Sequence, residues 1–461
     1  MLLFSIITYL VLTVVIGFWA SRRVKTSGDF MLAGRSLPLT LSSAALFATW
    51  FGSETVFGAS SEFLKGGLYG VIEDPFGAAL CLLLFGLFFA RKLYNMNLLT
   101  LGDFFKVRYG KKIELVASAF LALPYVGYIA AQLVAMGLIL NVVTGMVLWQ
   151  GVVVSAFVVT LYTYVGGMWA ISITDFIQSI IIILGLLVLT IVLADKVGGV
   201  GVVIEAMPEE NFRFLPHLDF KEVTSYIAAW CVLGLGSIPS QDVFQRAMSS
   251  GSARTAVWSS YIGAILYLTI AMLPLFISLC IKHLYPQELA GDTQLALPNM
   301  VLRHTPLTIQ ILFFGSLLSA IMSTTSSAIL APAAIFSENL VKPLFGHKFS
   351  DKQFLVLTKG AVLLFSIIAT VMACMRSNIY ELVGESSVLS LVSLFVPMCL
   401  GIYWKKASAA GALLSMVLGL ITWIIFEVFK TDWPGLVPAT IVSAIGMIIG
   451  SLIWPKTASR G

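Results

Sequence analysis

The sequence predicts an all-α integral membrane protein. Of its 461 residues, 59% are hydrophobic and only 11% are charged, and the mean hydropathy is +0.96. A typical soluble domain is about 25% charged, so this composition excludes one. Apolar runs of about 20 residues, the length that crosses a bilayer, follow one another along the chain.

Thirteen candidate spans can be counted from these runs. They lie at 2–20, 38–60, 70–90, 114–143, 148–166, 169–194, 222–246, 255–282, 307–336, 354–375, 379–403, 407–428 and 434–454. The first run has no basic segment before it and no small-residue cleavage site after it, so we interpret it as a retained span rather than a signal peptide.

Basic residues are distributed unevenly between the connections. With the N-terminus outside, 20 of the 28 Lys and Arg residues fall in inside connections, Arg246 and Arg254 among them. Because positively charged connections stay in the cytoplasm, the N-terminus is predicted outside and the C-terminus inside the plasma membrane. The long outside connection at 195–221 is predicted to form a short surface helix or cap.

Two spans are interrupted by residues that break helices. The segment LFATWFGSETVFGAS (46–60) places Gly, Ser and Glu inside an apolar run, and GLGSIPSQDVFQR (234–246) does the same with two glycines and a proline. Irregular backbone at this depth is tolerated only where it lines a cavity or is buried in protein, and broken helices of this kind mark transport sites. A packing helix with a Gly/Ser kink is the alternative interpretation.

The interrupted spans are the second and the seventh, so spans 2–6 and 7–11 form two sets of five. An odd number of spans in each set forces the second set into the inverted orientation. We therefore predict one transporter domain over 1–461. Its parts are an extra N-terminal helix with its loop (1–37), a first repeat (38–194), the outside loop (195–221), a second repeat (222–403) and two C-terminal helices (404–461).

Six hydroxyl-bearing residues crowd the segment SAIMSTTSS in the ninth span. Ala320, Ser323 and Thr324 share one helical face, so two hydroxyls and one carbonyl can converge on one point. Such neutral oxygens bind a cation that has lost its water, and carbonyls of the first break, Ala48–Phe51, would complete the set. One or two hydroxyls would be ordinary packing between membrane helices, whereas six favour a site.

Three carboxylates within predicted spans are singled out, because an ionisable side chain in a membrane is costly and by default functional. Asp175 is predicted to hold a second cation together with Ser326 and Ser327, unless it is a helix N-cap near the membrane surface. Glu54 and Asp242 lie one in each break. They are predicted to attract a cationic group of a substrate or to gate the cavity. The alternative is that each caps the half-helix that follows, where the helix dipole favours negative charge.

Aromatic and polar side chains near the breaks complete a predicted substrate site. Trp50 beside Glu54, and Tyr128 with Gln132 in span 4, offer aromatic faces suited to a quaternary or protonated amine, although isolated aromatic residues are more often packing. The triplet ESS at 385–387 in span 11 is a further buried polar cluster. The predicted substrate residues are Trp50, Ser53, Glu54, Tyr128, Gln132, Ser237, Ser240, Gln241 and Asp242.

The remaining reactive side chains predict neither catalysis nor a cofactor. The five cysteines are scattered singly, which argues against disulfides and a zinc site, and the four histidines lie outside the predicted spans. The spans contain no apparent pairing of a nucleophile with a base. We therefore expect a protein that is not an enzyme and that uses no cofactor beyond its coupling ions.

Four segments together resemble the sodium:solute symporter family: SGDFMLAGR, LYTYVGGMWAISITDFIQ, GSIPSQDVFQR and SAIMSTTSSA. The resemblance extends along nearly the whole chain and implies a leucine-transporter-like fold of two inverted five-helix repeats. It also implies a sodium site formed by the carbonyls of Ala48, Phe51 and Ala320 and the hydroxyls of Ser323 and Thr324. A second sodium, which some members hold, would use Asp175, Ser323, Ser326 and Ser327.

Within the family, FATWFGSE and SIPSQDVFQRAMSSGSA are most similar to the choline transporters. Those carry a tryptophan at the position of Trp50 and another near Tyr128. They place aromatic residues where this chain has Ala78 and Ser240, and a neutral residue where it has Glu54. The resemblance therefore implies an amine different from choline, with hydrogen-bond donors of its own.

These features predict a sodium-coupled symporter that imports a small polar organic solute by alternating access. An amine or another cationic or zwitterionic compound is the expected solute. A sodium symporter for an amino acid, carboxylate or vitamin is the first alternative, and a sodium-independent facilitator or channel is the second. The expected partners are sodium, the solute and the lipid bilayer, without nucleic acid, and the expected functional unit is a monomer.

Overall fold

The computed structural model describes residues 1–455 apart from 292, 346–348, 376–378 and 430–432. These residues are mostly helical and contain no β-strand, although an isolated bridge joins Leu37 to Ser250. The predicted all-α class is confirmed. Ten described helical stretches are long and apolar enough to cross a membrane: Leu2–Ser21, Tyr69–Asn95, Lys111–Thr144, Leu148–Val197, Ala253–Leu284, Leu307–Phe345, Asp351–Met375, Ser386–Tyr403, Ala409–Val428 and Leu436–Ile453.

Several of these stretches consist of more than one α-helix. In the first half of the described chain the α-helices are α1 (Leu2–Ser21), α2 (Ser27–Leu32), α3 (Leu39–Phe47), α4 (Ala59–Gly66), α5 (Ala78–Leu84), α6 (Ala90–Asn95), α7 (Leu101–Tyr109), α8 (Lys111–Ala122), α9 (Pro124–Thr144), α10 (Leu148–Val197) and α11 (Val200–Glu205). In the second half they are α12 (Phe220–Gly234), α13 (Gln241–Met248), α14 (Ala253–Leu284), α15 (Ala296–His304), α16 (Leu307–Ile335), α17 (Lys342–Phe345), α18 (Asp351–Met375), α19 (Ile379–Ser390), α20 (Val396–Tyr403), α21 (Ala409–Val428) and α22 (Leu436–Ile453).

Both predicted helix breaks are present. The backbone after α3 is irregular until a π-helical turn begins at Glu54, and within it the Gly52 N–H donates to the Trp50 carbonyl at 2.8 Å. Between α12 and α13 lies Pro239, which has no N–H to continue a helix. Each of these predicted spans is therefore built from two shorter helices, which is why neither is among the ten long stretches.

The spans predicted at 148–166 and 169–194 are two arms of α10. They meet at Gly167, where φ is 52° and ψ is −148°, a conformation open mainly to glycine. A Cβ at this position would also lie 2.5 Å from the Phe30 ring, so the close approach of α2 requires glycine as well. The two arms together pack against α1, α9, α14 and α16.

The helix α16 lies in the interior of the bundle. Every residue from Ser316 to Ile335 is buried, and the helix packs against α9, α10 and α18. A helix enclosed in this way is apolar on most faces, and its buried hydroxyls must find partners within the protein. The predicted hydroxyl-rich face is therefore enclosed rather than exposed to lipid.

Arg246 corrects the charge count made from the sequence. It lies in α13 with 0% of its surface exposed, so its assignment to an inside connection is wrong. The sequence QDVFQR of this half-helix is polar enough to be taken for the end of a span. Tertiary contacts nevertheless enclose it.

The long connection at 195–221 contains the predicted short helix, α11, and folds back over neighbouring helices. The Leu68 N–H donates to the Asn211 carbonyl at 2.9 Å. The Phe214 ring packs edge-on against Phe76, with ring centroids 4.9 Å apart. These contacts hold the connection against the segment that follows α4 and against the third predicted span.

Candidate functional site

A cavity of about 50 Å³ lies between the two helix breaks. Its lining residues come from both breaks, α9, α12 and α19: Trp50, Glu54, Pro124, Tyr125, Tyr128, Leu233, Gly236, Ser237, Ser240, Asp242, Val383, Ser386, Ser387 and Ser390. Two serines of the predicted triplet at 385–387 are among them, while the side chain of Glu385 lies outside the described part of the chain. Aromatic faces and carboxylates thus share one small enclosure between broken helices.

Most of the predicted substrate residues reach this cavity. The ones that line it are Trp50, Glu54, Tyr128, Ser237, Ser240 and Asp242. Ser53 and Gln132 do not line the cavity themselves but bond to Glu54, which does. Gln241 turns away, because its Oε1 accepts from the Leu101 N–H of α7 at 2.8 Å.

Glu54 is 4% exposed, and two side chains of α9 hold its carboxylate. Tyr128 donates to Oε1 at 2.8 Å, and the Gln132 amide donates to Oε2 at 2.7 Å. Gln132 also accepts from the Ser53 N–H at 3.1 Å, which satisfies a backbone donor near the break. Gln132 therefore positions Glu54, and Tyr128 both positions Glu54 and lines the cavity.

Asp242 is 2% exposed and is held by Tyr125. The Tyr125 hydroxyl donates to Oδ1 at 2.7 Å and accepts from the Asp242 backbone N–H at 3.0 Å. Asp242 also lies in the first turn of α13, where the helix dipole stabilises its negative charge. The same residue lines the cavity. Tyr125 is missing from the predicted site because a tyrosine in a span is usually packing. Its spacing of three residues from Tyr128 places both side chains on one face of α9, and this spacing could have indicated Tyr125 as a site residue.

The oxygen atoms predicted to bind sodium converge between the first break and α16. The Ser323 and Thr324 hydroxyls lie 3.4 and 3.3 Å from the Ala48 carbonyl oxygen. The Thr324 hydroxyl lies 3.2 Å from the Ala320 carbonyl oxygen. These separations exceed the roughly 2.7–2.8 Å that is typical of O–H···O bonds. Neutral oxygens held at this spacing are suited to a dehydrated cation between them.

Phe51, the remaining predicted sodium ligand, is fully buried in the same break. Its neighbour Gly52 connects the two parts of the site. A Cβ on Gly52 would lie 3.0 Å from the Thr324 hydroxyl oxygen and 3.0 Å from a carboxylate oxygen of Glu54. A predicted sodium ligand and the carboxylate of the cavity therefore both come close to the same small residue.

Asp175 is paired with a cation of the protein itself. Its Oδ2 lies 2.9 Å from Nη2 of Arg246, and its Oδ1 accepts from the Ser323 hydroxyl at 2.5 Å. Both charged side chains are at most 1% exposed. Ser326 and Ser327 donate to carbonyls of their own helix instead. The structure thus brings only Ser323 of the three predicted hydroxyls onto this carboxylate, and the second sodium stays a prediction.

A sequence profile of the sodium:solute symporter family matches residues 30–419, most of the chain. The chain belongs to this family. This sodium:solute symporter is 29% identical to the high-affinity choline transporter 1 of Drosophila melanogaster over 90% of this chain and 69% of the relative. It is 28% identical to the human high affinity choline transporter 1 (91% and 75% covered) and 27% identical to the sodium/proline symporter of Escherichia coli K12 (98% and 93% covered).

Solved structures of transporters share this fold. A substrate-bound, outward-open Na⁺-coupled sialic acid symporter matches with a TM-score of 0.88, 19% identity and 99% of each chain covered. A nucleobase-cation-symport-1 family transporter in a closed conformation matches with a TM-score of 0.63, 15% identity and 95% and 97% covered. At these identities the likeness shows the fold alone. The family match and the relatives together support sodium-coupled symport of a small solute.

A further buried carboxylate of this symporter, Asp74, lies beside the first break and was missed by the sequence reasoning. Asp74 is 4% exposed and falls in the π-helical turn Ile72–Gly77, where its φ is −139° and its ψ is 120°. Tyr267 of α14 donates to its Oδ1 at 2.6 Å. The same hydroxyl oxygen lies 2.6 Å from the Thr55 hydroxyl and 3.2 Å from the Trp50 carbonyl oxygen. Tyr267 therefore connects the irregular backbone of the first break to α14 and to the third span.

Replacing Tyr267 by Phe is expected to lower the free energy of unfolding by about 1–3 kcal/mol, because a buried carboxylate would lose its donor. Among the described residues, Oδ2 of Asp74 already has no hydrogen-bond partner. Thermal unfolding of the detergent-solubilised protein measures the effect. Tyr261→Phe, on the same helix beside Trp258, is the matched control. Equal melting temperatures for the two variants would contradict the assignment.

Proposed function

We propose that the chain is a sodium-coupled symporter for a small cationic solute, an amine in the first place. The observation that supports this is the pairing of Glu54 and Asp242 in one cavity whose described lining residues include no Lys or Arg. A buried carboxylate without a counter-charge is costly within a membrane, and a cationic solute would supply the missing charge. Trp50 adds an aromatic face that attracts ammonium groups.

A carboxylic acid, an amino acid or an anionic vitamin fits this cavity less well. The carboxylate of such a solute would lie beside Glu54 and Asp242, and the described lining offers no positive side chain to bind it. Arg246, the nearby buried cation, is bonded to Asp175. The negative charge of such a solute would be repelled by the two carboxylates of the cavity. A symporter for an amino acid, carboxylate or vitamin therefore ranks below a symporter for an amine.

In the proposed mechanism, sodium binds the carbonyl oxygens of Ala48, Phe51 and Ala320 and the hydroxyls of Ser323 and Thr324. The ion would tie the first break to α16 and favour the state in which the solute site is complete. Coupling requires that sodium bind the two states with different affinity, since equal affinity shifts nothing. A membrane potential that is negative inside adds about 2.3 kcal/mol per imported positive charge per 100 mV to the driving force for uptake.

The arrangement in the membrane is part of the proposal. We place thirteen crossings, with each broken helix crossing once and the two arms of α10 crossing separately, as inverted repeats over 38–194 and 222–403. The N-terminus lies outside and the C-terminus inside the plasma membrane, and the unit is a monomer. One sodium binds at the Ala48–Thr324 cluster, and a second at Asp175 would have to share the carboxylate with Arg246.

Uptake by the purified protein in proteoliposomes tests this function. With an inward sodium gradient, we expect a panel of amines, amino acids and carboxylates to yield uptake of at least one small amine. Replacing sodium by potassium on both sides should reduce that uptake to background. Sodium-driven uptake of anions alone would contradict the cationic solute. Equal uptake in potassium would contradict coupling and indicate a facilitator.

A further inference from the structure

We propose that the solute is a short aliphatic diamine, bound as a dication with one ammonium group at Glu54 and the other at Asp242. This inference rests on the sodium-coupled uptake of a cation proposed above. It adds the number of positive charges, their spacing and the kind of ammonium group. It assigns each of the two broken helices one end of the solute.

The balance of charge around the cavity favours two positive groups over one. Glu54 and Asp242 both line the cavity and are at most 4% exposed. The carboxylate of Asp175 is already paired with Arg246. The predicted sodium ligands are neutral oxygens of the first break and α16, and none of these described residues lines the cavity. A solute with a single charge would therefore leave one buried carboxylate without a counter-ion, which is unfavourable in a low-dielectric interior.

The hydrogen-bonding capacity of the cavity favours primary ammonium groups over a quaternary one. A carboxylate offers about four acceptor positions, and the Glu54 carboxylate fills three of them, with Tyr128, Gln132 and, at 3.4 Å, the Ser53 hydroxyl. The Ser240 hydroxyl donates to the Ser237 carbonyl at 2.6 Å, which leaves its lone pairs able to accept. A primary ammonium group brings three N–H donors to these acceptors, whereas a quaternary ammonium brings none.

The spacing of the carboxylates is set by one turn of α9. Tyr125 holds Asp242 at 2.7 Å, and Tyr128, three residues later on the same helix, holds Glu54 at 2.8 Å. Side chains three residues apart on a helix share one face and have Cβ atoms about 5–6 Å apart, and from that spacing we infer that the two carboxylates lie within reach of one short solute. This fits the two nitrogens of a diamine with about three or four carbon atoms.

Uptake measurements with the full-length protein in proteoliposomes test the inference. The probes are 1,3-diaminopropane and 1,4-diaminobutane, with 1-aminobutane, choline and spermidine for comparison, each with and without a sodium gradient. We expect kcat/KM for the better diamine to exceed that for 1-aminobutane and for choline at least tenfold. The charge moved per solute molecule should be one unit larger for a diamine than for a monoamine.

Two neutral variants, Glu54→Gln and Asp242→Asn, test the role of each carboxylate. Each is expected to reduce the preference for diamine over 1-aminobutane at least tenfold, because one ammonium group loses its counter-charge. Glu427→Gln, an exposed carboxylate near the end of α21, is the matched control and should keep the preference of the wild type. Thermal stabilisation by sodium shows whether each variant is folded. If a variant is unfolded, the uptake of the diamines and comparison amines by the wild-type protein decides the inference.

The outcomes distinguish failure of the diamine inference from failure of the proposed sodium-coupled uptake of a cation. Sodium-driven uptake of choline or a monoamine at a kcat/KM equal to or above that of both diamines would overturn the inference and leave the proposed function intact. So would an unchanged diamine preference in both folded variants. Sodium-driven uptake of no amine at all would overturn both.

Discussion

Thr324→Ala is expected to raise the sodium concentration for half-maximal uptake by about 10- to 100-fold, since a contact to a charged group contributes about 1.5–3 kcal/mol and 1.4 kcal/mol corresponds to a factor of ten. The Thr324 hydroxyl lies within 3.3 Å of the carbonyl oxygens of both Ala48 and Ala320. The substitution therefore removes one of the predicted ligands from the middle of the cluster. Initial rates of uptake at increasing sodium concentration measure the change.

The neighbouring residue on α16 provides a matched control. Thr325 is equally buried, but its hydroxyl donates to the Ile321 carbonyl of its own helix at 2.5 Å. Thr325→Ala should therefore keep the sodium dependence of the wild type. Ser323→Ala should resemble Thr324→Ala and, in addition, remove a donor from Asp175. Wild-type sodium dependence in both Ser323→Ala and Thr324→Ala would refute the sodium site.

Arg246→Gln is expected to reduce the free energy of unfolding by about 3–5 kcal/mol, because it leaves the Asp175 carboxylate unpaired in the interior. The two side chains are at most 1% exposed and are joined at 2.9 Å. Whole proteins are stable by only about 5–15 kcal/mol, so the variant should melt far below the wild type or fail to accumulate. Thermal unfolding and the yield of monodisperse protein in detergent report the effect.

A second substitution separates loss of the ion pair from loss of packing. Asp175→Asn combined with Arg246→Gln removes both charges at once, so the double variant should be more stable than Arg246→Gln alone. Arg254→Gln replaces an exposed arginine at the start of α14 and should melt with the wild type. If Arg246→Gln also melts with the wild type, the ion pair does not hold this part of the fold together.

The helix breaks illustrate how much of this protein is encoded locally. Gly52 and Pro239 interrupt apolar runs, and the structure has irregular backbone at both places. The crowding of hydroxyls on one face of α16 is likewise a property of spacing along one helix, although packing between distant segments brings Ser323 and Thr324 to the Ala48 carbonyl. Each of these features depends on residues within a few positions of one another.

Three partners of buried carboxylates were missed in the sequence. Asp175 bonds to Arg246, which is 71 positions away, and the sequence had assigned that arginine to a connection. Tyr125 lies 117 positions from Asp242, and Tyr267 lies 193 positions from Asp74. No local sequence pattern predicts such pairs, because they form only when separate helices pack together. The sequence alone does not distinguish a tyrosine or an arginine that faces lipid or water from one that faces a buried carboxylate.

The sequence by itself determined that this is a polytopic helical membrane protein, where two of its helices break and which hydroxyls share a face. Those properties follow from apolar length, from residues that cannot continue a helix and from helical periodicity, all of which act over short stretches. Only the tertiary structure decided that Glu54 and Asp242 line one cavity, that α9 holds them through Tyr128 and Tyr125, and that Arg246 rather than an open site faces Asp175. A buried charge is stabilised by whatever group the fold places within a few ångströms of it, and that neighbour is set by packing between distant segments.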